Sequence, residues 1–526
     1  MSVVGLSGSA SYLSALLRQQ RTQIEDLSVQ LTTGKKTESF GGLGADGITS
    51  LKMRQEISTI DAYKSVSEIA TTHITQLGKS LERIEKLRSE TVSAINPNDY
   101  QLTTDGATTS QATTKILLLE TISQLNTNVA GYNLYGGKVS ESEPVASFDH
   151  IMNGHGGKLG LKDVMARFSS AHLGSDGKGK VNTAASDGTG ESTVKLTRSK
   201  ETPFGFKIHG GTASSSVISM NYRAADLTTD PANPVPAGLD IKLTGLPREG
   251  DRVQVELSLP DGSFKTLALS AKTTGTATAS NFVISKNSNP AKARFETAKS
   301  LETAIGQALK TAGQTDLKAV AASQAGNEFF GLYEDGRSPA VPKLPDASGE
   351  LLENANGKIL GWYRGYTQDS KVRDDKIVEV DRGLKVGYGV RANEKPFAEQ
   401  MKNLSVFIAA DFKPTDEADA QSKAIAESYY NVLADKTDRA MAVNDSKISG
   451  VQSIATEISA AKTTINNSSE RLSQRSNSYK ILSGKIENVD RTQVAVELSE
   501  MTNNLQASYR MTSSLLNLSL SDYLKL

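Results

Sequence analysis

Residues 12–34 read YLSALLRQQRTQIEDLSVQLTTG, and the spacing of their apolar side chains decides how the chain begins to fold. Leu13, Leu17, Gln20, Ile24, Leu27 and Leu31 recur in steps of four and three. That period of about 3.5 residues lays one narrow stripe along a helix, the seam of a coiled coil. Gly34 follows, where a helix C-terminus favours glycine.

The same spacing recurs downstream. A second helix is predicted from Ile48 to Ile95, with Ile74, Leu77, Leu81 and Ile84 on its seam and Asn96-Pro97-Asn98-Asp99 ending it. A third carries Leu118, Ile122, Leu125, Val129 and Tyr132 and stops at Gly136 and Gly137. Towards the other terminus the seam reads Val451, Ile454, Ile458, Ala461, Ile465, Leu472, Tyr479, Leu482 and Ile486, interrupted at Ser468 and Arg475. A final helix carries Val494, Leu498, Met501, Leu505 and Leu515 on one stripe. Stripes this narrow bury little apolar area, and such helices are marginal alone in water. They call for partners from the opposite end of the chain, from other copies of it, or from both.

The middle changes character. DRVQVELSLPDGSFKTLALSA, from Asp251, alternates Val253, Val255, Leu257 and Leu259, turns at Pro260-Asp261-Gly262 and resumes at Phe264, a hairpin signal. STVKLT, FGFKIH, SVISMNYR and LDIKLTG read as further strands, and ARFETAKSLETAIGQALKTAG as one helix among them. The expected class is α+β: a long, coiled-coil-like helical stalk built from both termini, carrying a strand-rich insert. The predicted segments are 1–47 (first helix and turn), 48–139 (helical), 140–395 (insert), 396–486 (one returning long helix) and 487–526 (closing helix).

A chain of 526 residues exceeds one compact core, so about two to four domains are expected. With 59 basic and 59 acidic residues the formal charge is zero, which favours neither nucleic acid nor an anionic membrane as partner. Cysteine is absent, removing disulfides and thiol chemistry together. The opening MSVVGLSGSASYLSALLRQQ lacks a basic n-region and does not read as a cleavable signal. No apolar run reaches the length of about 18 residues that a membrane helix requires.

No catalytic, cofactor or metal site is expected. LTTGKKTESFGGLGAD, residues 31–46, looks like a phosphate cradle but has Val29 where a Walker loop needs its first glycine, and Lys36 where it needs Ser or Thr. Gly34, Gly41, Gly42 and Gly44 are read as a hinge turn between helices. Of the five histidines, His73, His150, His155, His172 and His209, no two share the spacing of a helical zinc pair. His73 is expected on partly exposed helix surface, His150 and His155 in a solvated loop, and Asp374-Asp375 as solvated charge. Trp362, Tyr363 and Tyr366 are expected to pack as a core cluster, with a carbohydrate platform as the alternative.

Residues 27–95, LSVQLTTGKKTESFGGLGADGITSLKMRQEISTIDAYKSVSEIATTHITQLGKSLERIEKLRSETVSAI, resemble the N-terminal segment of bacterial flagellins, including the run Leu81, Arg83, Leu87. IENVDRTQVAVELSEMTNNLQASYRMTSSLL, from Ile486, is similar to the flagellin closing helix, and GLKVGYGVRANE before the returning helix resembles alphaproteobacterial flagellins. The ending LNLSLSDYLKL and the run YNLYGG at 132–137 are similar instead to hook-associated protein 3, the hook–filament junction subunit. The resemblance implies a non-enzymatic, cofactor-free subunit, exported unfolded without signal cleavage to the extracellular flagellum. Its implied partners are copies of itself, hook-associated and cap proteins, and an export chaperone. It implies that residues 34–46 form the spoke between tube layers, with Lys35 and Lys36 facing a neighbouring subunit. It also implies that Leu81, Arg83 and Leu87 face an innate immune receptor, weakly, because Glu85 and Lys86 exchange the charges of recognised flagellins. An adhesin or carbohydrate-binding module on a stalk, and an enzyme within the insert, are the competing classes.

Overall fold

The computed structural model describes residues 4–226, 228, 235–333, 341–368, 370–442 and 450–523, with side-chain surroundings described between residues 11 and 514. Helix takes 53% and strand 18%, which makes the class α+β. From the N-terminus, α1 (Val4–Thr33) leads through a 3-10 turn (Phe40–Leu43) to α2 (Ala45–Ala94) and α3 (Thr109–Leu125). A hairpin of β1 (Asn128–Val129) and β2 (Tyr132–Asn133) precedes α4 (Phe148–Asn153) and α5 (Leu161–Leu173). The strands β3 (Val181–Asp187), β4 (Ser192–Arg198), β5 (Lys207–Ala213), β6 (Ile218–Arg223), β7 (Gly238–Leu243), β8 (Arg252–Ser258), β9 (Phe264–Lys272) and β10 (Asn281–Val283) follow. Then come α6 (Pro290–Ala312), a π turn (Gly313–Leu317) and α7 (Lys318–Phe330). Two small hairpins, β11 (Lys343–Pro345) with β12 (Leu352–Asn354) and β13 (Ile377–Asp381) with β14 (Leu384–Gly387), lead to α8 (Lys395–Ala409) and α9 (Ala420–Met441). The chain closes on α10 (Gly450–Glu487) and α11 (Arg491–Tyr523).

These elements divide into two compact units: residues 73–377 with 387–459, and residues 1–72 with 378–386 and 460–526. In the former, two four-stranded sheets run in the orders β3-β4-β7-β6 and β10-β9-β8-β5. The predicted hairpin forms as β8 and β9, antiparallel from Arg252↔Ser270 to Ser258↔Phe264. Its alternation puts Val253, Val255, Leu257 and Leu269 into one core with Val194, Leu196, Ile241 and Leu243 of the other sheet. α6 adds Leu301, Ile305 and Leu309 to that core. It begins with Pro290 after Asn289, whose side chain accepts from the amides of Ala291 and Lys292. At its end Gly313 lies so close to Gly177 that a Cβ would stand 2.4 Å from that carbonyl oxygen. Only glycine fits there, and the helix widens into its π turn at that point.

The same unit holds the apolar seam of the second half of α2. Leu77, Leu81, Ile84 and Leu87 are fully buried, as are Leu118 and Leu125 of α3, with Ile122 beside them. α3 starts in a capping box of Thr108 and Gln111, and the Gln111 amide also donates to the carbonyls of Phe407, Ile408 and Ala410 at the end of α8.

Three expectations are corrected. Val129 is not on a helical seam: α3 ends at Leu125, and Val129 pairs with Tyr132 across a tight hairpin. Ala130 (φ 51°) and Gly131 (φ 89°) take the left-handed conformation such two-residue turns need, and Asn128 Oδ1 accepts from the Gly131 amide at 2.9 Å. The returning segment is not one helix but α8, α9 and α10. Pro414 cannot continue a helix, and Asp419 recaps the chain by accepting from Gln421 and Ser422. The insert holds more than the one expected helix, because α4, α5 and α7 accompany its sheets and α6.

Candidate self-assembly surface at the chain termini

The other unit brings the two ends of the chain together. α1 packs along α11. On α1 the less exposed positions are Leu13, Leu17, Gln20, Ile24, Leu27, Gln30 and Leu31. On α11 they are Val494, Leu498, Met501, Thr502, Leu505, Ser508 and Thr512, while Leu515 lies outside the residues whose side chains are described. The predicted stripes are therefore the contact. Yet Val494 is the one fully buried residue among them; the others stay partly open to solvent. Within the seam the buried Oε1 of Gln20 has no hydrogen-bond partner among the described residues.

The two interhelix links are stitched to each other. Gly34 ends α1 at φ 72°. The Val489 amide donates to the Gly34 carbonyl at 3.1 Å, and the Lys36 amide to the Glu487 carbonyl at 2.8 Å, around an antiparallel bridge of Lys35 with Asn488. Gly44 also sits at positive φ (61°), where glycine is required; Gly41 and Gly42 belong to the 3-10 turn, and a Cβ on Gly42 would press on Thr37.

Glu487 is the hub of this junction, and its carboxylate is 7% exposed. Arg54 reaches it with Nε at 2.8 Å, Ser483 donates at 2.8 Å, Lys35 Nζ stands at 3.3 Å, and the Ser50 hydroxyl closes the set. Arg54 above all, with Ser50, Ser483 and Lys35, holds the Glu487 carboxyl well below the usual carboxylate range. Three segments thus meet at one charge: the turn after α1, the start of α2 and the end of α10. Lys35 is committed to Glu487 and Lys36 Nζ to the Lys485 carbonyl, so both lysines expected to face a neighbour have partners in their own chain.

On α10 the buried row runs Val451, Ile454, Ile458, Ala461, Ile465, Ser468, Leu472, Ser476, Ser483 and Glu487. Ser468 is no interruption: it is fully buried and donates to the Val380 carbonyl at 3.0 Å. Leu482, expected on the seam, is instead 45% exposed, and Ile486 is half-buried. The helix face inward at this end is chosen by hydroxyls that bond α2 and β13, and apolar spacing alone could not reveal it.

The receptor-facing reading of Leu81, Arg83 and Leu87 is corrected as well. Both leucines are fully buried, and Arg83 is held by Glu90 at 2.9 Å and by both Glu120 oxygens, the nearer at 2.5 Å. His73 is buried rather than partly exposed, 3.4 Å from the Tyr388 hydroxyl, and burial pushes its pKa down. Asp375 is not solvated: its side chain is buried under the Arg391 guanidinium at 2.5 and 3.0 Å. Trp362 packs on Phe330, whose carbonyl accepts from Nε1 at 3.2 Å, as a core residue. His172 is fully buried between the Gln324 side chain and the Gly205 amide.

Among the described residues no group of three or more His, Asp or Glu could hold a metal ion, and no helix is long and apolar enough to cross a membrane. No family model and no curated protein matches the chain.

Proposed function

We propose that the chain is a structural subunit that polymerises with copies of itself into the bacterial flagellar filament, as the likeness of its two ends to flagellins implies. The observation that carries this reading is the half-open seam between α1 and α11. Two long helices are held together by stripes that remain partly wet, with the Gln20 carbonyl oxygen unpartnered inside. Such a pair gains stability when further helices close over it, so assembly and ordering of the termini are coupled. A contact between unlike surfaces of identical subunits repeats without closing and builds a helical filament. In this reading both termini form a coiled-coil-like stalk and the inner tube, and the stitched links at Gly34 and Asn488 are the spoke. Export precedes folding, and hook-associated proteins, a cap and a chaperone are the accessory partners.

The junction subunit, hook-associated protein 3, is the second reading, favoured by the ending LNLSLSDYLKL. Copy number in sheared surface filaments separates the two: thousands per filament for a filament subunit, about one ring for a junction. The test of both is electron microscopy of the purified protein after seeding, beside a truncation lacking residues 1–30. Full-length protein forms fibres and the truncation stays soluble; a truncation that still polymerises overturns the role given to the α1 seam.

A further inference from the structure

Lys318 opens α7 directly after the π turn at Gly313–Leu317. The extra residue of such a turn offsets the faces of α7 from those of α6 by about 100°. The half-buried lysine lines a small cavity of about 180 Å³. Four helices wall it: Met165 comes from α5, Ala322 from α7, Ala409 from α8 and Tyr429 from α9. All belong to the unit that holds the two sheets. The Lys318 Nζ stands 4.3 Å from the centre of the Tyr429 ring and donates to the Asp411 carbonyl at 3.5 Å.

A lysine ordinarily lays its stem on apolar surface and keeps its ammonium in water. Here the ammonium itself is set over an aromatic ring beside two alanines, and the ring face fixes its place. Burial pushes the Lys318 pKa down, against the pull of the Asp411 carboxylate. More of the amine is then unprotonated near neutral pH, and a desolvated, unprotonated lysine is a nucleophile. Lys162 of α5, exposed and lining the same cavity, supplies a second cation at its rim. The cavity has the room of about six water molecules, which suits an acyl group of two carbons. Sites for drug-sized ligands begin at about 300 Å³, so a nucleotide does not fit.

We propose that Lys318 is a site of covalent acylation by a small acyl phosphate, with Lys162 as the cation that draws in the phosphate. The Lys318 nitrogen forms a bond to the carbonyl carbon, the bond from that carbon to the phosphate oxygen breaks, and the phosphate leaves carrying the amine proton. The amide formed keeps one N–H for the Asp411 carbonyl and lays its methyl group among Ala322, Ala409 and the Tyr429 ring. Acylation also gives a chain of zero formal charge a net negative one. The site is independent of the self-assembly reading.

The test treats the full-length protein with acetyl phosphate and follows each lysine by peptide mass spectrometry. Lys292 and Lys299, exposed on α6, are the internal references. Lys318 is expected to acetylate about threefold faster than either at about pH 7.5, the net of more free amine and weaker intrinsic nucleophilicity. Lys162→Gln, a change at an exposed position, is expected to slow Lys318 about twofold with acetyl phosphate and to leave its rate with an uncharged acetyl ester unchanged. Acetylation of Lys318 no faster than of Lys292 and Lys299 overturns the site. Lys162→Gln that slows both reagents equally, or neither, overturns the role given to Lys162.

Discussion

Replacing Glu487 by alanine removes the acceptor on which Ser50, Arg54, Ser483 and Lys35 converge. Arg54 and Lys35 are about half exposed (48% and 47%), so each returns to water on losing its partner, and the two pairs together contribute about 1 kcal/mol. Ser50 and Ser483 are buried, and each hydroxyl left without its acceptor costs about 1 kcal/mol. The sum is about 3 kcal/mol for Glu487→Ala. Glu487→Gln keeps one acceptor for the hydroxyls and costs about 1 kcal/mol. The loss is local, at the stitch between the two links. Hydrogen exchange at the Lys36 and Val489 amides, which donate to Glu487 and Gly34, reads it directly. Exchange there accelerates about a hundredfold in Glu487→Ala and about fivefold in Glu487→Gln, at about 1.4 kcal/mol per decade. The sign with pH follows from the depressed carboxyl: the stabilisation is whole above its ordinary unfolded value and is lost as pH falls below it towards the folded value. Protection of both amides in the wild type therefore declines on acidification below about pH 4.5, while Glu487→Gln is flat in that range. Unchanged exchange at both amides in Glu487→Ala would refute the reasoning.

Further outcomes follow from the same contacts. His172, buried and pushed down to about 4 from 6.5, is neutral when folded, so the unfolded chain takes the proton first as pH falls. The two-sheet unit loses up to about 3 kcal/mol between pH 6.5 and pH 4, and His172→Gln removes that slope in urea titrations followed by circular dichroism. Gly34→Ala forces a side chain into the left-handed region and costs about 1 kcal/mol, read as faster exchange at the Val489 amide; the Cβ itself meets only the movable Arg491 guanidinium, at 2.8 Å. Leu498→Asp and Leu27→Asp each place a charge in the half-open seam, abolishing polymerisation in electron micrographs while the circular dichroism of the two-sheet unit is unchanged.

Which parts of this molecule could be read in advance depends on the range of the forces that fix them. The stripes of α1 and α11, the β8–β9 hairpin and the glycine at position 34 rest on neighbours a few residues apart, and each appears where its spacing places it. Val129 sat at helical spacing, yet the adjoining Asn128, Ala130 and Gly131 make a turn, a local conflict in which turn chemistry prevails over periodicity. Leu81 and Leu87 matched a surface motif but are enclosed within their unit. Burial is a property of packing and is absent from the motif itself.

The order of apolar and polar residues was enough to dictate helical ends, a strand-bearing middle and seams too thin to stand alone, because periodicity within one element is a local matter. Three-dimensional packing alone determined that α10 turns Ser483 and Glu487 inward in place of Leu482, and that Glu487 gathers partners from residues more than 400 positions away. A hydrogen bond can outweigh an apolar side chain in orienting a helix only when the matching hydroxyl or guanidinium is already across the interface, and no spacing rule along one strand of chain carries that information.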